Sequence, residues 1–308
     1  MDPFEVIRVA HVEGSPDSAP WLVDGLWAEQ AVGFIGGTPK SCKTWLSLEL
    51  AVAVASGRPC LGRFPVRRPG PVVVYAAEDA AVAVRERVEG IAKARAVPLA
   101  RLAVGLITEP GLRLDRAEHC ERLDATLAKV RPRLLVLDPL VRLHRGDENS
   151  AADVSRMLGF LRQLQREHQV AIALVHHVRK SGASQPGQAL RGSGDLHAWS
   201  DSSLFLLKRK GRLELHAEHR SHRPPEPFAI ELREDPLHLA VVGDVEPVDD
   251  QGELHRQVLA TLTNTPMTRT ALREHLGVRN ERLGWALLAL DGQVKRVGGL
   301  LTVPRSDP

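Results

Sequence analysis

An α/β fold around a mostly parallel sheet is what the 308-residue sequence predicts, on three observations. Residues 32–241 alternate short apolar runs with longer helical patterns, the arrangement of successive βαβ units. After Ser200 the pattern changes to apolar–polar alternation, as in antiparallel strands that extend a sheet. Beyond residue 252, three short helical patterns and a hairpin form a small second unit. A composition of 43% hydrophobic and 26% charged residues supplies enough apolar surface for a packed core and excludes a mainly disordered chain.

The parallel strands are expected at residues 32–35, 71–76, 102–107, 134–137 and 170–175. Helical patterns fill the gaps at 43–55, 80–95, 116–130 and 151–168. In the last of these Asp153 complements the helix start, and Val154, Leu158, Leu161 and Leu164 recur at helical spacing. Antiparallel strands follow at 203–208, 213–217 and 228–232. The small, polar stretch 181–189 (SGASQPGQA) reads as a loop. Residues 246–252 (EPVDDQG) read as a linker between a domain at 1–245 and one at 253–308. In the second domain, helices at 254–262, 269–276 and 281–290 precede a hairpin at 293–303 that turns at Gly298-Gly299. That order is the winged form of helix-turn-helix.

No apolar run approaches the ~20 residues that span a bilayer, and the first residues, MDPFEVIRVAHVEG, show no basic patch followed by an apolar stretch. Cys42, Cys60 and Cys120 are far apart and form no Cys-x-x-Cys pair, which argues against a disulfide framework or a cysteine zinc site. A cytoplasmic protein with no membrane contact is expected.

Gly37-Thr38-Pro39-Lys40-Ser41-Cys42-Lys43-Thr44 follows an apolar strand and opens a helix, the context that a phosphate-binding G-x-x-x-x-G-K-[ST] loop requires. Such a loop points successive backbone N–H groups at phosphate oxygens, and the helix N-terminus adds partial positive charge. Lys43 is expected on the β- and γ-phosphates of ATP, and the Thr44 hydroxyl on Mg²⁺. Cys42 stands where the second glycine belongs, so the loop is expected to hold it at backbone angles that L-residues accept. Asp138 ends the apolar strand 134–137 and is the candidate second Mg²⁺ ligand. Glu78-Asp79 ends another strand: Glu78 is the candidate base that orients the attacking water, and Asp79 the candidate cap of the next helix. His176-His177 ends the strand 170–175, a place from which one of them can sense the γ-phosphate. His216, His219 and His222 read as surface residues.

In order and at family-like spacing, GGTPKSCKTWLSLELAVAVASG, VVVYAAED, LLVLDPLVRLHRGDEN, ALVHHVRK and ALRGSGDLHAWSDSSLFL resemble the RecA-fold ATPases of the RepA type, the hexameric plasmid-replication helicases and their bacterial relatives. The resemblance spans roughly residues 22–230. It implies a RecA-like sheet, tolerance of cysteine at position 42, and a ring with ATP between neighbouring subunits. It also implies Glu78 as catalytic glutamate, Asp138 as the Mg²⁺ aspartate, His177 within a sensor motif, and Arg191 near the subunit boundary. The family's arginine-finger position falls on Asp201 here, so Arg220 and Arg223 are the substitute candidates.

Charge separates the two domains. From Glu253 onward eight basic residues face five acidic ones, an excess equal to the +3 of the whole chain. A basic tail beside a neutral body suits a polyanion. In the winged-helix reading Arg279, Asn280 and Arg282 lie on the groove-reading helix and Lys295 and Arg296 on the wing, with Trp285 packed inside or against the ATPase body; such modules also dock proteins. Aromatic residues are only 4% of the chain, too few for extensive base stacking, so loop 181–189 is the candidate grip on single-stranded DNA, by backbone and charge. The sequence therefore predicts an ATP- and Mg²⁺-dependent ring-forming ATPase acting on DNA, a helicase or translocase. Its alternatives are a nucleotide-switched DNA-binding regulator or loader, and a small-molecule kinase.

Overall fold

The computed structural model describes residues 6–11, 20–144, 151–178, 195–209, 211–244, 250–278, 280–290 and 292–303. The chain divides into two compact units, Met1–Val245 and Glu246–Pro308.

The larger unit opens with a small ribbon, β1 (Trp21–Val23) and β2 (Trp27–Ala28), then β3 (Val32–Gly37) and α1 (Lys43–Ser56). Next come β4 (Val72–Ala76), α2 (Ala81–Ala94), β5 (Val104–Ile107), α3 (Ala117–Val130), β6 (Leu134–Asp138), α4 (Ala151–His168) and β7 (Ala171–His177). A short α5 (Asp195–Trp199) leads into a meander of β8 (Ser202–Arg209), β9 (Arg212–His219), β10 (Phe228–Glu234) and β11 (Leu237–Asp244). All but the first ribbon join one nine-stranded sheet, ordered β11-β10-β9-β8-β3-β7-β6-β4-β5. From β8 to β5 neighbouring strands are parallel; β8 to β11 pair antiparallel.

Strand periodicity sorts the side chains into two cores. Val72 and Val74, Leu134 and Val136, Ala171 and Ala173 turn to one face, under α1 and α2. Val73 and Tyr75, Leu135 and Leu137, Ile172 and Leu174 turn to the other, under α3 and α4. A sheet covered on both faces explains why its strands read as nearly continuous apolar runs.

The expected strands and helices are present with ends shifted by a few residues. Sequence reading missed β1, β2 and β11. The last buries Leu239 in the core with Val241 packed against it, and polar groups also tie it to the helix layer. Glu49 of α1 is 1% exposed, pairs with Arg95 at 3.0 Å and accepts the Leu239 N–H at 3.1 Å. Arg95 in turn donates to the Leu239 carbonyl at 3.2 Å. A Cβ on Gly90 of α2 would come within 2.4 Å of the Leu237 carbonyl oxygen, so glycine permits the close packing of α2 on β11.

The smaller unit contains α6 (Asp250–Asn264), α7 (Arg269–Leu276), α8 (Asn280–Ala289), β12 (Lys295–Val297) and β13 (Leu300–Thr302). Its core is formed by Leu254, Val258, Leu262, Leu272, Leu283, Ala286 and Leu290. Helix α6 begins at Asp250, so residues 250–252 of the expected linker 246–252 are helical. The Thr268 side chain caps α7 by accepting the Ala271 N–H, and Gly277 closes it in the left-handed conformation. Gly298 and Gly299, at φ +59° and +85°, make the tight turn between β12 and β13. Met267 and Leu301 exchange backbone hydrogen bonds of 3.1 and 2.7 Å, which fix the hairpin to the segment before α7.

Candidate functional site

The loop between β3 and α1 is shaped by close packing. All six β3 positions are buried, and a Cβ on Gly37 would lie 2.3 Å from Ser41 Oγ and 3.1 Å from the Leu206 carbonyl oxygen. Only glycine lets the loop fold back this tightly. Lys40 adopts φ 60°, and Cys42, the N-cap of α1, sits at φ 63° and ψ 26°. The expectation that Cys42 takes angles ordinary for L-residues is therefore corrected. It is left-handed, as the missing glycine would be, at a cost of roughly 1–2 kcal/mol. Its carbonyl accepts the Leu46 N–H at 3.0 Å and starts the helix. Ser41 is 1% exposed and its Oγ has no hydrogen-bond partner among the described residues.

Strand order determines what faces this loop. β7 lies between β3 and β6, and β4 lies beyond β6. The carboxyl ends of four adjacent parallel strands thus present Gly37, His177, Asp138 and Glu78 along one rim. A cavity of about 280 Å³ there is lined by Lys40, Ser41, Cys42, Lys43, Thr44, Glu78, Asp138 and His177, together with Trp45, Asp79, Arg87, Pro139 and Val175. Thr44 Oγ1 donates to Asp138 Oδ2 at 2.7 Å. Lys43 is 8% exposed and curls back, its Nζ donating to the Thr38 carbonyl at 2.8 Å. His176, beside His177, is buried, its ring 6.1 Å from that of Phe34.

Burial sets the electrostatics. It pushes the Asp138 carboxyl up to about 6, the Thr44 hydrogen bond and Lys43 opposing the shift and the Asp79 and Glu78 charges adding to it. Burial also lowers the Lys43 ammonium pKa, against the pull of Asp138 and Glu78, and raises the Cys42 thiol. A hydroxyl and a buried carboxylate in contact, with further carboxylates nearby, form a hard-oxygen donor set of the kind Mg²⁺ takes, so the residues fit that ion.

Glu78 does not reach toward Thr44; its Oε1 accepts from Arg142 Nε at 2.8 Å. The expectation that Asp79 caps α2 is corrected. The N-cap is Ala80, with no side-chain cap bond, and both Asp79 oxygens are taken by Arg87 at 2.6 and 3.0 Å. The Arg87 guanidinium also lies 5.6 Å from the centre of the Trp45 ring. Arg220 is not part of this rim. It pairs with Asp201 at 3.2 Å and donates to the Ala198 carbonyl. Asp201 donates its N–H to the carbonyl of Val32, the first residue of β3, about 16 Å along the strand from the phosphate loop at 3.3 Å per residue. Asp201 itself accepts from Arg162 at 2.5 Å. Arg223 is 89% exposed beside Glu226. His216 and His219 are half-buried rather than surface residues: His216 bonds Glu214, and His219 bonds Ser202 and the Gly25 carbonyl. Arg191, loop 181–189, Arg279 and the side chains of Arg282 and Trp285 lie outside the described residues.

Sequence reading missed Trp45, Arg87 and Arg142. Trp45 directly follows the loop motif, which was a usable signal. Arg87 and Arg142 reach the rim only through the placement of α2 and of the segment after β6.

A glycine-closed loop with its lysine and threonine, set against an aspartate two strands away in a RecA-like sheet, defines a P-loop nucleotide-binding protein. A protein-family model described as AAA domain matches residues 2–183. The chain belongs to that family of P-loop ATPases, and the match ends before the β8–β11 meander.

Proposed function

We propose that this ATPase forms a ring and acts on DNA as a motor or switch, in the manner of the RepA-like helicases and translocases its sequence resembles. One observation carries the reading of the site: Lys43, Thr44, Glu78, Asp138 and His177 converge on one cavity at the carboxyl rim of the sheet. In this reading ATP's phosphates replace the Thr38 carbonyl as the partner of Lys43, and loop N–H groups hold their oxygens. Mg²⁺, held by Thr44 and Asp138, would neutralise charge on the β- and γ-phosphates. Glu78 orients the attacking water once it turns from Arg142, and His177 senses the γ-phosphate. Arg220, on the rim opposite its own phosphate loop, suits a group that serves a neighbouring subunit, and Arg191 is the second candidate there.

The smaller unit supports the DNA part. Three helices and a hairpin in winged-helix order carry the chain's basic excess, and Lys295 and Arg296 are exposed on β12. Duplex contact is proposed there and single-strand contact at loop 181–189. The test is ATP turnover with and without single- and double-stranded DNA, with particle mass measured in a non-hydrolysable analogue. DNA-stimulated turnover and a hexameric mass are expected; a monomer with DNA-independent turnover would overturn the reading. Lys43→Ala is expected to abolish turnover. Strand displacement separates a motor from the second reading, a nucleotide-switched loader.

A further inference from the structure

Glu78 borders a second cavity, of about 380 Å³, lined by Tyr75, Ala77, Glu78, Gly111, Arg113 and Arg142. Its walls come from β4 and from the segments that follow β4, β5 and β6, at the same rim as the phosphate loop but outside the P-loop cavity. The volume corresponds to about a dozen water molecules, room for one tetrahedral oxyanion and its hydration.

The chemistry of the lining is one-sided. Arg113 is half-buried, and its guanidinium has no partner among the described residues. Tyr75 is 2% exposed; its Oη accepts the Leu112 N–H at 3.0 Å, and its own proton has no acceptor among the described residues. Among the described residues Arg142 commits only Nε, to Glu78. Glu78 is, among those residues, the single anionic side chain in the lining. Two guanidinium groups and a buried phenol proton against one carboxylate favour an anionic guest. The frame is also fixed: the Arg113 N–H donates to His119 Nδ1 at 2.9 Å. The Leu114 N–H donates to the Leu143 carbonyl at 2.6 Å, tying together the two segments that carry the arginines.

We propose that this cavity binds a phosphate-class oxyanion, and that its occupancy draws Arg142 away from Glu78 and so frees the carboxylate to orient water. The inference rests on Glu78 having that role in the proposed reaction. The energetics suit a latch. Both side chains of the pair are about half exposed, at 55% and 52%, so water screens the pair and it is weak. An oxyanion that engages both arginines can displace it. Arg142 is thus a positioning residue, acting through Glu78. The oxyanion has two possible sources: phosphate released by turnover, or a phosphodiester of a bound strand.

The binding test uses the full chain with its phosphate loop filled by Mg²⁺ and a non-hydrolysable ATP analogue. Sodium phosphate is titrated at constant ionic strength and followed by phosphorus-31 line broadening. Saturable binding is expected, weakened at least tenfold by Arg113→Ala and tightened several-fold by Glu78→Gln, which removes the competing charge. In steady-state turnover, phosphate or a thymidine oligonucleotide should raise kcat several-fold with KM unchanged. Arg142→Ala should show the raised kcat without any anion. A response to phosphate alone assigns the reaction product as occupant; a response to the oligonucleotide assigns the strand. Absence of saturable phosphate binding, or a lowered kcat in Arg142→Ala, would overturn the proposal. Full turnover in Glu78→Gln would instead defeat the role of Glu78, leaving phosphate binding to be judged by the equilibrium measurement.

Discussion

Asp138 carries its charge in the fold at a cost to stability. Its carboxyl is pushed up to about 6, mainly by burial, so between roughly pH 4 and 6 the folded chain holds more proton than the unfolded one. Stability therefore falls as pH rises through that window, by about 3 kcal/mol for a shift of about two units, and stays lower above it. Asp138→Asn keeps an acceptor for Thr44 and removes the buried charge. The variant is expected to melt several degrees higher than the parent at pH 8, to lose that advantage at pH 4, and to lose Mg²⁺-dependent turnover. Thermal melts at the two pH values check the sign. Lys43, Thr44, Asp138 and Glu78 were legible in the sequence because loop chemistry and strand ends constrain them locally. Arg142, Arg113 and Arg87 were not, because their positions depend on which strands become neighbours, and no local pattern encodes that.

At the scale of elements, the pair of Glu49 and Arg95 decides how the phosphate-loop helix is held. Glu49 is 1% exposed and the Arg95 side chain 12%, and together they satisfy both backbone groups of Leu239. Removing one partner leaves a buried charge uncompensated, which typically costs about 3–5 kcal/mol. Glu49→Ala is expected to lose that much in urea unfolding and Glu49→Gln clearly less, since the amide keeps an acceptor for the Leu239 N–H. The parallel strands were readable because both of their faces are buried. β11 carried a usable apolar signal in Leu239 and Val241, but the glutamate and arginine that tie it to the helices look like ordinary helix-surface charges. Cys42 is a similar case: its residue type suggests normal angles, and the packing of Gly37 on Ser41 imposes left-handed ones.

Across the whole molecule, two units have separate cores, and among the described residues no helix is long and apolar enough to cross a membrane. Scanning calorimetry is expected to resolve two transitions. Only that of the larger unit should rise with Mg²⁺ and ATP analogue, by about 2.7 kcal/mol at a hundredfold excess over Kd. The thiol in the phosphate loop gives the same equilibrium a chemical readout. Cys60 is fully buried and Cys120 is half-buried on α3, its Sγ donating to the Leu114 carbonyl, whereas Cys42 lines the phosphate-loop cavity. Because burial raises its pKa, iodoacetamide should modify it slowly and mainly at alkaline pH. Bound nucleotide should protect it, so that a mass-spectrometric footprint of one natural side chain reports how much of the enzyme is loaded.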